Sequence, residues 1–249
     1  MADRPRALLL GGTSEAVALA RKTAENFDVT YSLAGRTRNP SRPDNVTIRT
    51  GGFGGVAALS AWLLARNIDL VVDATHPFAE QISLNAHNSC QITGIPLLRL
   101  LRPAWQAVSG DIWYHADDIA DASRKIRALG TAAFLSVGHQ ELRAFAGIDD
   151  IRFLIRTVDP LETVPLLKST YITGRGPFSV DQETALLQAH EIDVLVSKNA
   201  GGNGAYAKIT AARNLGLSVL MIGRPSSLPG NTVDNIDRAL DWMGMHRRR

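Results

Sequence analysis

Short runs of consecutive apolar residues alternate along this chain with longer stretches whose apolar positions recur every three to four residues. The first pattern predicts buried strands, the second helices that cover them. ALLLGG at 7–12 is a buried strand ending in a glycine turn, and SEAVALARKTAEN at 14–26 is the helix after it, with Ser14 placed to cap it. Further strands are predicted at 28–35, 45–50, 68–75 and 95–100, with helices at 55–67 and 77–93. Pro77 sits in the first turn of the second of these helices, where a missing N–H costs nothing. The order β-α-β-β-α-β-α-β is that of an open, mostly parallel sheet covered by helices. Residues 100–116 break the rhythm with Pro103, Trp105, Gly110 and Trp113 and read as a crossover with room for one strand. Alternation then resumes, with helices expected at 118–130, 160–169, 179–191, 204–216 and 231–245 and strands at 132–138, 151–158, 170–174, 192–199 and 217–223. Ser179 is placed to cap its helix, with Glu183 near the first turn, and Gly216 to close the helix at 204–216. The expected fold is α/β, two Rossmann-like domains with mostly parallel sheets covered by helices, divided as 1–105 and 106–249.

Composition narrows the class. The 249 residues are 45% hydrophobic and 20% charged, which excludes a disordered chain. No apolar run approaches the roughly 18 residues a membrane helix needs. The apolar run in MADRPRALLLGG is too short for a signal peptide, so a cytoplasmic location is expected. The net charge of +3 resides in Arg247, Arg248 and Arg249, a short terminal run that gives little ground for nucleic-acid binding. A single cysteine can form neither an internal disulfide nor a thiolate zinc site, and Cys90 reads as a small buried hydrophobe. The histidines at 76, 87, 115, 139, 190 and 246 are dispersed, without metal-ligand spacing. Neither a Gly-x-Ser-x-Gly elbow nor a phosphate-binding P-loop is present.

Ligands of such sheets bind outside the carboxyl ends of the strands, so the residues after each strand carry the candidate chemistry. Gly11-Gly12-Thr13-Ser14-Glu15 follows the first strand. A glycine pair opening a helix can hold a phosphate on backbone N–H groups, and the Thr13 and Ser14 hydroxyls add donors. The match to G-x-G-x-x-G is poor, and an ordinary tight turn is the competing reading. After the second strand stand Arg36, Thr37 and Arg38, where an NAD-binding domain usually has an acid for the ribose. An arginine there suits a 2′-phosphate, and so NADP(H). Asp73-Ala74-Thr75-His76 ends the strand at 68–75, with His76 a candidate general acid or substrate donor. In the second half, Gly174-Arg175-Gly176 and Ser197-Lys198-Asn199 put cations and an amide at strand ends, suited to phosphate or carboxylate.

GGTSEA at 11–16, DATHPFA at 73–79, GRGPF at 174–178 and SKNAGG at 197–202 together resemble the precorrin-6A reductase family of cobalamin biosynthesis, over about residues 6–225. The resemblance implies two α/β domains with an active-site cleft between them. It implies NADPH-dependent reduction of one double bond of a tetrapyrrole macrocycle, precorrin-6A, to give precorrin-6B; anaerobic relatives act on the cobalt-containing ring. On this reading Gly11, Gly12, Thr13, Ser14, Glu15, Arg36, Thr37 and Thr75 bind NADPH, and His76 is the catalytic candidate. Arg175, Lys198 and Asn199 hold substrate, no metal is bound by the protein, and other corrin-pathway enzymes are transient partners. Three alternatives stand beside it. One is an NADP(H)-binding sensor without turnover. Another is a reductase of the cobalt-containing precorrin-6A, since the sequence does not say whether cobalt is already in the ring. The third is a reductase of a smaller carbonyl substrate, against which stands the lack of any Tyr-x-x-x-Lys pair.

Overall fold

The computed structural model describes residues 4–35, 37–160, 163 and 166–246. The chain forms two compact units, one built from the segment up to Pro103 together with the segment from Ser226, the other from Ala104–Pro225.

In the first unit, strand β1 (Arg6–Leu10) leads into helix α1 (Ser14–Thr23), followed by β2 (Asp28–Leu33), β3 (Thr47–Thr50), α2 (Val56–Ala65), β4 (Leu70–Asp73), α3 (Glu80–Thr93) and β5 (Leu97–Leu100). β1 and β4 are almost wholly buried, as the central strands of a parallel sheet must be, which is why they read as unbroken apolar runs. α1 turns Ala16, Val17, Leu19, Ala20 and Thr23 onto the sheet. Cys90 is buried on α3, and burial pushes its thiol up to about 12, as befits a packing residue.

The second unit repeats the scheme. β6 (Ile112–Ala116) and α4 (Ile119–Lys125) lead to β7 (Ala132–Ser136), β8 (Arg152–Thr157), β9 (Ser169–Thr173), α5 (Val180–Ala189), β10 (Val194–Lys198), α6 (Ala207–Asn214) and β11 (Ser218–Ile222). The chain ends with β12 (Asn231–Val233) and α7 (Ile236–Met245). Among the described residues each sheet has six strands, ordered β12-β5-β4-β1-β2-β3 and β6-β11-β10-β7-β8-β9, with every pairing parallel. Read from the other edge, the first sheet has the doubly wound order 3-2-1-4-5-6, while the second has the same arrangement over β9-β8-β7-β10-β11 but takes β6, the strand that opens the unit, as its sixth; the order reverses between β1 and β4 in one sheet and between β7 and β10 in the other. None of the helices among the described residues is long and apolar enough to cross a membrane.

The division at 1–105 and 106–249 needs correction at its far end. The expected helix at 231–245 is a short strand followed by a helix, and both belong to the first unit. β12 pairs with β5, and Ala239 and Met243 of α7 enter the core of the first sheet. α7 supplies the apolar stripe that covers α1 and β5, so its burial returns the chain's end to the first sheet. Two smaller corrections concern helix starts. The cap of α1 is Thr13, not Ser14. α3 begins at Glu80 rather than at Pro77, because the Asp73–Thr75 turn and the turn at His76–Ala79 come first. The helix expected at 160–169 falls partly on 161, 162, 164 and 165, outside the described residues, and Ser169 already belongs to β9.

A buried charge group lies in the core of the second unit. Arg156 pairs with Glu183 at 2.7 Å and lies over the Phe178 ring at 3.9 Å. Beside them Lys208 donates to Ser136 Oγ at 2.7 Å. Burial pushes the Lys208 ammonium down to about 8, with Glu183 acting upward and Arg156 downward. Between that value and the ordinary lysine value of 10.5 the unfolded chain binds more protons than the folded one, so stability rises with pH. Below about 8 both states are protonated and the full cost of burying the charge is present. Lys208→Met is expected to stabilise the second unit at pH 7 by up to about 3 kcal/mol, at 1.36 kcal/mol per unit. It should also flatten the rise in melting temperature between pH 8 and 10. A pH-melting series checks both, and an unchanged slope would refute the assignment.

Candidate active site

The first sheet reverses its order between β1 and β4, and the loops after these two strands lie side by side there. Gly11 N–H donates to Ser32 O at 2.9 Å and Ala74 N–H to Leu10 O at 3.0 Å, so each loop is an extension of the strand ladder. Tyr31, fully buried on β2, sits directly beneath the glycine pair and accepts from Gly12 N–H at 3.1 Å. Burial raises its phenol above the ordinary value, against the lowering effect of that hydrogen bond. A Cβ at Gly11 would lie 2.2 Å from the ring, so only glycine fits. Gly12 is glycine for a different reason. Its φ of 117° is a conformation that side chains resist, while the space above it is open.

Thr13 joins the two loops. Its hydroxyl donates to Ala74 O at 2.8 Å and accepts from Ala16 N–H at 3.1 Å. Val17 N–H bonds back to Thr13 O at 3.2 Å. Among the described residues, the first-turn amides of Ser14 and Glu15 have no hydrogen-bond partner. The Ser14 hydroxyl donates to Glu15 at 3.1 Å, and Glu15 pairs with Arg102 at 2.8 Å.

Beneath the second loop lies Asp73, buried, the last residue of β4. Its Oδ1 accepts from Thr75 N–H at 3.1 Å and from the Thr75 hydroxyl at 2.6 Å. Its Oδ2 accepts from the Ser83 hydroxyl at 2.5 Å and faces Arg99 Nε at 3.4 Å. Asp73 is therefore the anchor of the turn that presents Thr75 and His76. His76 Nδ1 accepts from Phe78 N–H at 3.3 Å, which places the hydrogen of the neutral ring on Nε2. A small hollow, with room for about one water, opens at the reversal point, lined by Thr13, Glu15, Thr75, Pro77 and the segment 100–102.

The first unit thus brings together Gly11, Gly12, Thr13, Glu15 and Thr75, with His76 next to Thr75. Thr37 lies in a bend, half-buried, and Arg36 lies outside the described residues. In the second unit, Lys198 ends β10 and forms an ion pair with Glu141, whose other oxygen accepts from Gly138 N–H at 2.6 Å. Asn199 holds the backbone of Trp105 from both sides, accepting from its N–H at 2.7 Å and donating to its carbonyl at 3.0 Å. Arg175 is exposed in the loop after β9, in which Phe178 folds back over Arg156. Sequence reasoning missed Tyr31, Ser83, Arg99, Arg102 and Glu141. Each acts through a partner distant in sequence, and the one usable sign was Tyr31 as the single aromatic in its strand.

Comparison with known proteins agrees with this architecture. The model of the family described as "Precorrin-6x reductase CbiJ/CobK" matches residues 6–244. A precorrin-6A reductase of Rhodococcus erythropolis is 47% identical over 98% of this chain and 99% of its own length. A cobalt-precorrin-6A reductase of Salmonella typhimurium is 30% identical over 89% of this chain and 88% of its own. The solved structure of a CobK precorrin-6A reductase superposes with a TM-score of 0.91 at 41% identity, covering 97% of both chains. With the family model matched over residues 6–244 and the fold superposing along nearly its whole length, the chain belongs to the precorrin-6x reductase family.

Proposed function

We propose that this chain uses NADPH to reduce one double bond of the precorrin-6A macrocycle, giving precorrin-6B, in the cytoplasm and in transient contact with other corrin-pathway enzymes. It is an oxidoreductase acting on a CH–CH bond, in cobalamin biosynthesis. The observation that carries the cofactor reading is the Gly11–Glu15 loop at the order reversal of the first sheet. It has a glycine that only Tyr31 dictates, open space over Gly12, and first-turn amides left for an anion. These residues fit the pyrophosphate of a dinucleotide. When bound, the cofactor supplies the hydride. Gly11, Gly12, Thr13 and Ser14 hold and orient it, with Thr75 fixed beside them by Asp73. Arg36 and Thr37 select the 2′-phosphate.

His76 is the group nearest the reaction in this reading. As the neutral ring its Nε2–H donates a hydrogen bond to the macrocycle; delivering the proton that accompanies hydride addition requires the imidazolium, with Nδ1 protonated and released from Phe78 N–H. Arg175 and Lys198 hold substrate carboxylates, with Glu141 aiming Lys198, and Asn199 serves the substrate site by fixing Trp105. Metal-free precorrin-6A is favoured over the cobalt form, since the relatives named for it are 42–47% identical and those named for the cobalt ring at most 30%.

The test is anaerobic incubation with precorrin-6A and NADPH, with NADH in parallel. Loss of NADPH absorbance together with a change in the tetrapyrrole spectrum is expected. Binding without consumption, on both the metal-free and the cobalt ring, would refute the reading. Arg36→Ala is expected to raise KM for NADPH far more than KM for NADH. An equal rise for both would remove Arg36 as the selector.

A further inference from the structure

We propose that Arg102 is the cation that binds the cofactor pyrophosphate, with Glu15 as the positioning residue that holds it in place; this rests on the reading that the cofactor lies over the loop after β1. Glu15 stands in the first turn of α1, and Arg102 two residues beyond β5. β4 lies between β1 and β5 in the sheet, so the Arg102–Glu15 pair spans the end of β4 at the order reversal. Both residues line the hollow there, together with Thr13, Thr75 and Pro77. The two side chains are 16% and 28% exposed, so the pair is mostly withdrawn from water while keeping an accessible edge.

The charges explain why the pair is needed. A carboxylate in the first turn suits the helix dipole, yet it repels an anion bound to the same turn. Arg102 offsets that repulsion, and its planar guanidinium is the side chain best matched to a phosphate. Its place is set from far away in sequence. Leu101 N–H donates to Val233 O at 2.8 Å, carrying the β5–β12 pairing one residue past the strand. The segment of chain that returns to the first sheet thereby fixes where Arg102 emerges.

The experiment measures Kd for NADPH by calorimetry, with ligand-free melting temperature and ionic-strength dependence, in Arg102→Ala, Arg102→Lys, Glu15→Gln, the double variant Glu15→Gln/Arg102→Ala, and Gly12→Val. Arg102→Ala is expected to weaken binding about ten- to a hundredfold, the range of a lost charge-assisted hydrogen bond. It should also shallow the salt dependence. Arg102→Lys should recover part of the loss, as a point charge without the fork. The double variant should bind more tightly than Arg102→Ala, because the uncompensated carboxylate is gone. If both single variants lower the melting temperature alike and leave Kd within about twofold, while Gly12→Val still abolishes binding, the pair is a structural tie and the proposal falls alone. If Gly12→Val leaves Kd unchanged, the loop is not the cofactor site, and both readings fall.

Discussion

Asp73→Ala is expected to unfold the first unit well before the second. The carboxylate is buried at 3% exposure, satisfies the N–H and hydroxyl of Thr75 and the hydroxyl of Ser83, and faces Arg99, itself only 11% exposed. Its removal strands a guanidinium and two hydroxyls in a place that water barely reaches. Breaking a buried ion pair from one side costs about 3–5 kcal/mol. For a unit of this size that is a fall on the order of 10–15 °C in melting temperature. Calorimetry should show the transition of the second unit in place and that of the first moved down. Asp73→Asn keeps an acceptor for Thr75 and loses the charge opposite Arg99, so an intermediate shift is expected. A fall of less than about 3 °C in Asp73→Ala would mean that the network carries little of the unit's stability.

Gly11→Ala is the second large effect, and it acts through one ring. The added methyl would sit 2.2 Å from Tyr31 Cζ and 2.4 Å from its hydroxyl oxygen. Tyr31 is wholly buried and packed in the main core of the first sheet, so it has nowhere to swing. Overpacking of this kind costs about 1–3 kcal/mol. Any shift that relieves it also pulls the tyrosine hydroxyl from Gly12 N–H and displaces the loop proposed to hold the cofactor. At least about a tenfold loss of NADPH affinity is expected, the scale of one misplaced hydrogen-bonding group. Tyr31→Phe separates the two contributions, since it removes the hydroxyl and leaves the ring. It should lose affinity modestly and stay folded. Equal affinity in wild type and Gly11→Ala would show that the loop tolerates a side chain and that the ring does not set its shape.

Much of the architecture is a local property of the chain. β1, β4, β7 and β10 are central strands buried on both faces, so each must be an unbroken apolar run, and such runs stand out at first reading. Thr13, Gly11, Gly12 and the Asp73–Thr75 turn were legible as strand-end chemistry, because parallel sheets place ligands at carboxyl ends. Their motifs also carried the family. The sequence by itself therefore determined two parallel α/β sheets, the boundary near Pro103 and the glycine-rich and polar loops that follow the strands.

What the tertiary structure decided were relations between distant segments. Asn231–Val233 is a three-residue edge strand with two exposed residues, so no alternation marks it, and only its pairing with β5 makes it a strand. The last helix carries an apolar stripe that suits either sheet; packing on α1 gave it to the first. Asn199 clamps the backbone of Trp105 and Glu15 is tied to Arg102, contacts between distant segments that no local pattern marks. Periodicity records which face of an element is buried, and nothing in it records which partner buries that face. That choice depends on long-range shape and charge, so the return of the chain's end, and with it the placing of Arg102, exists only in the folded molecule.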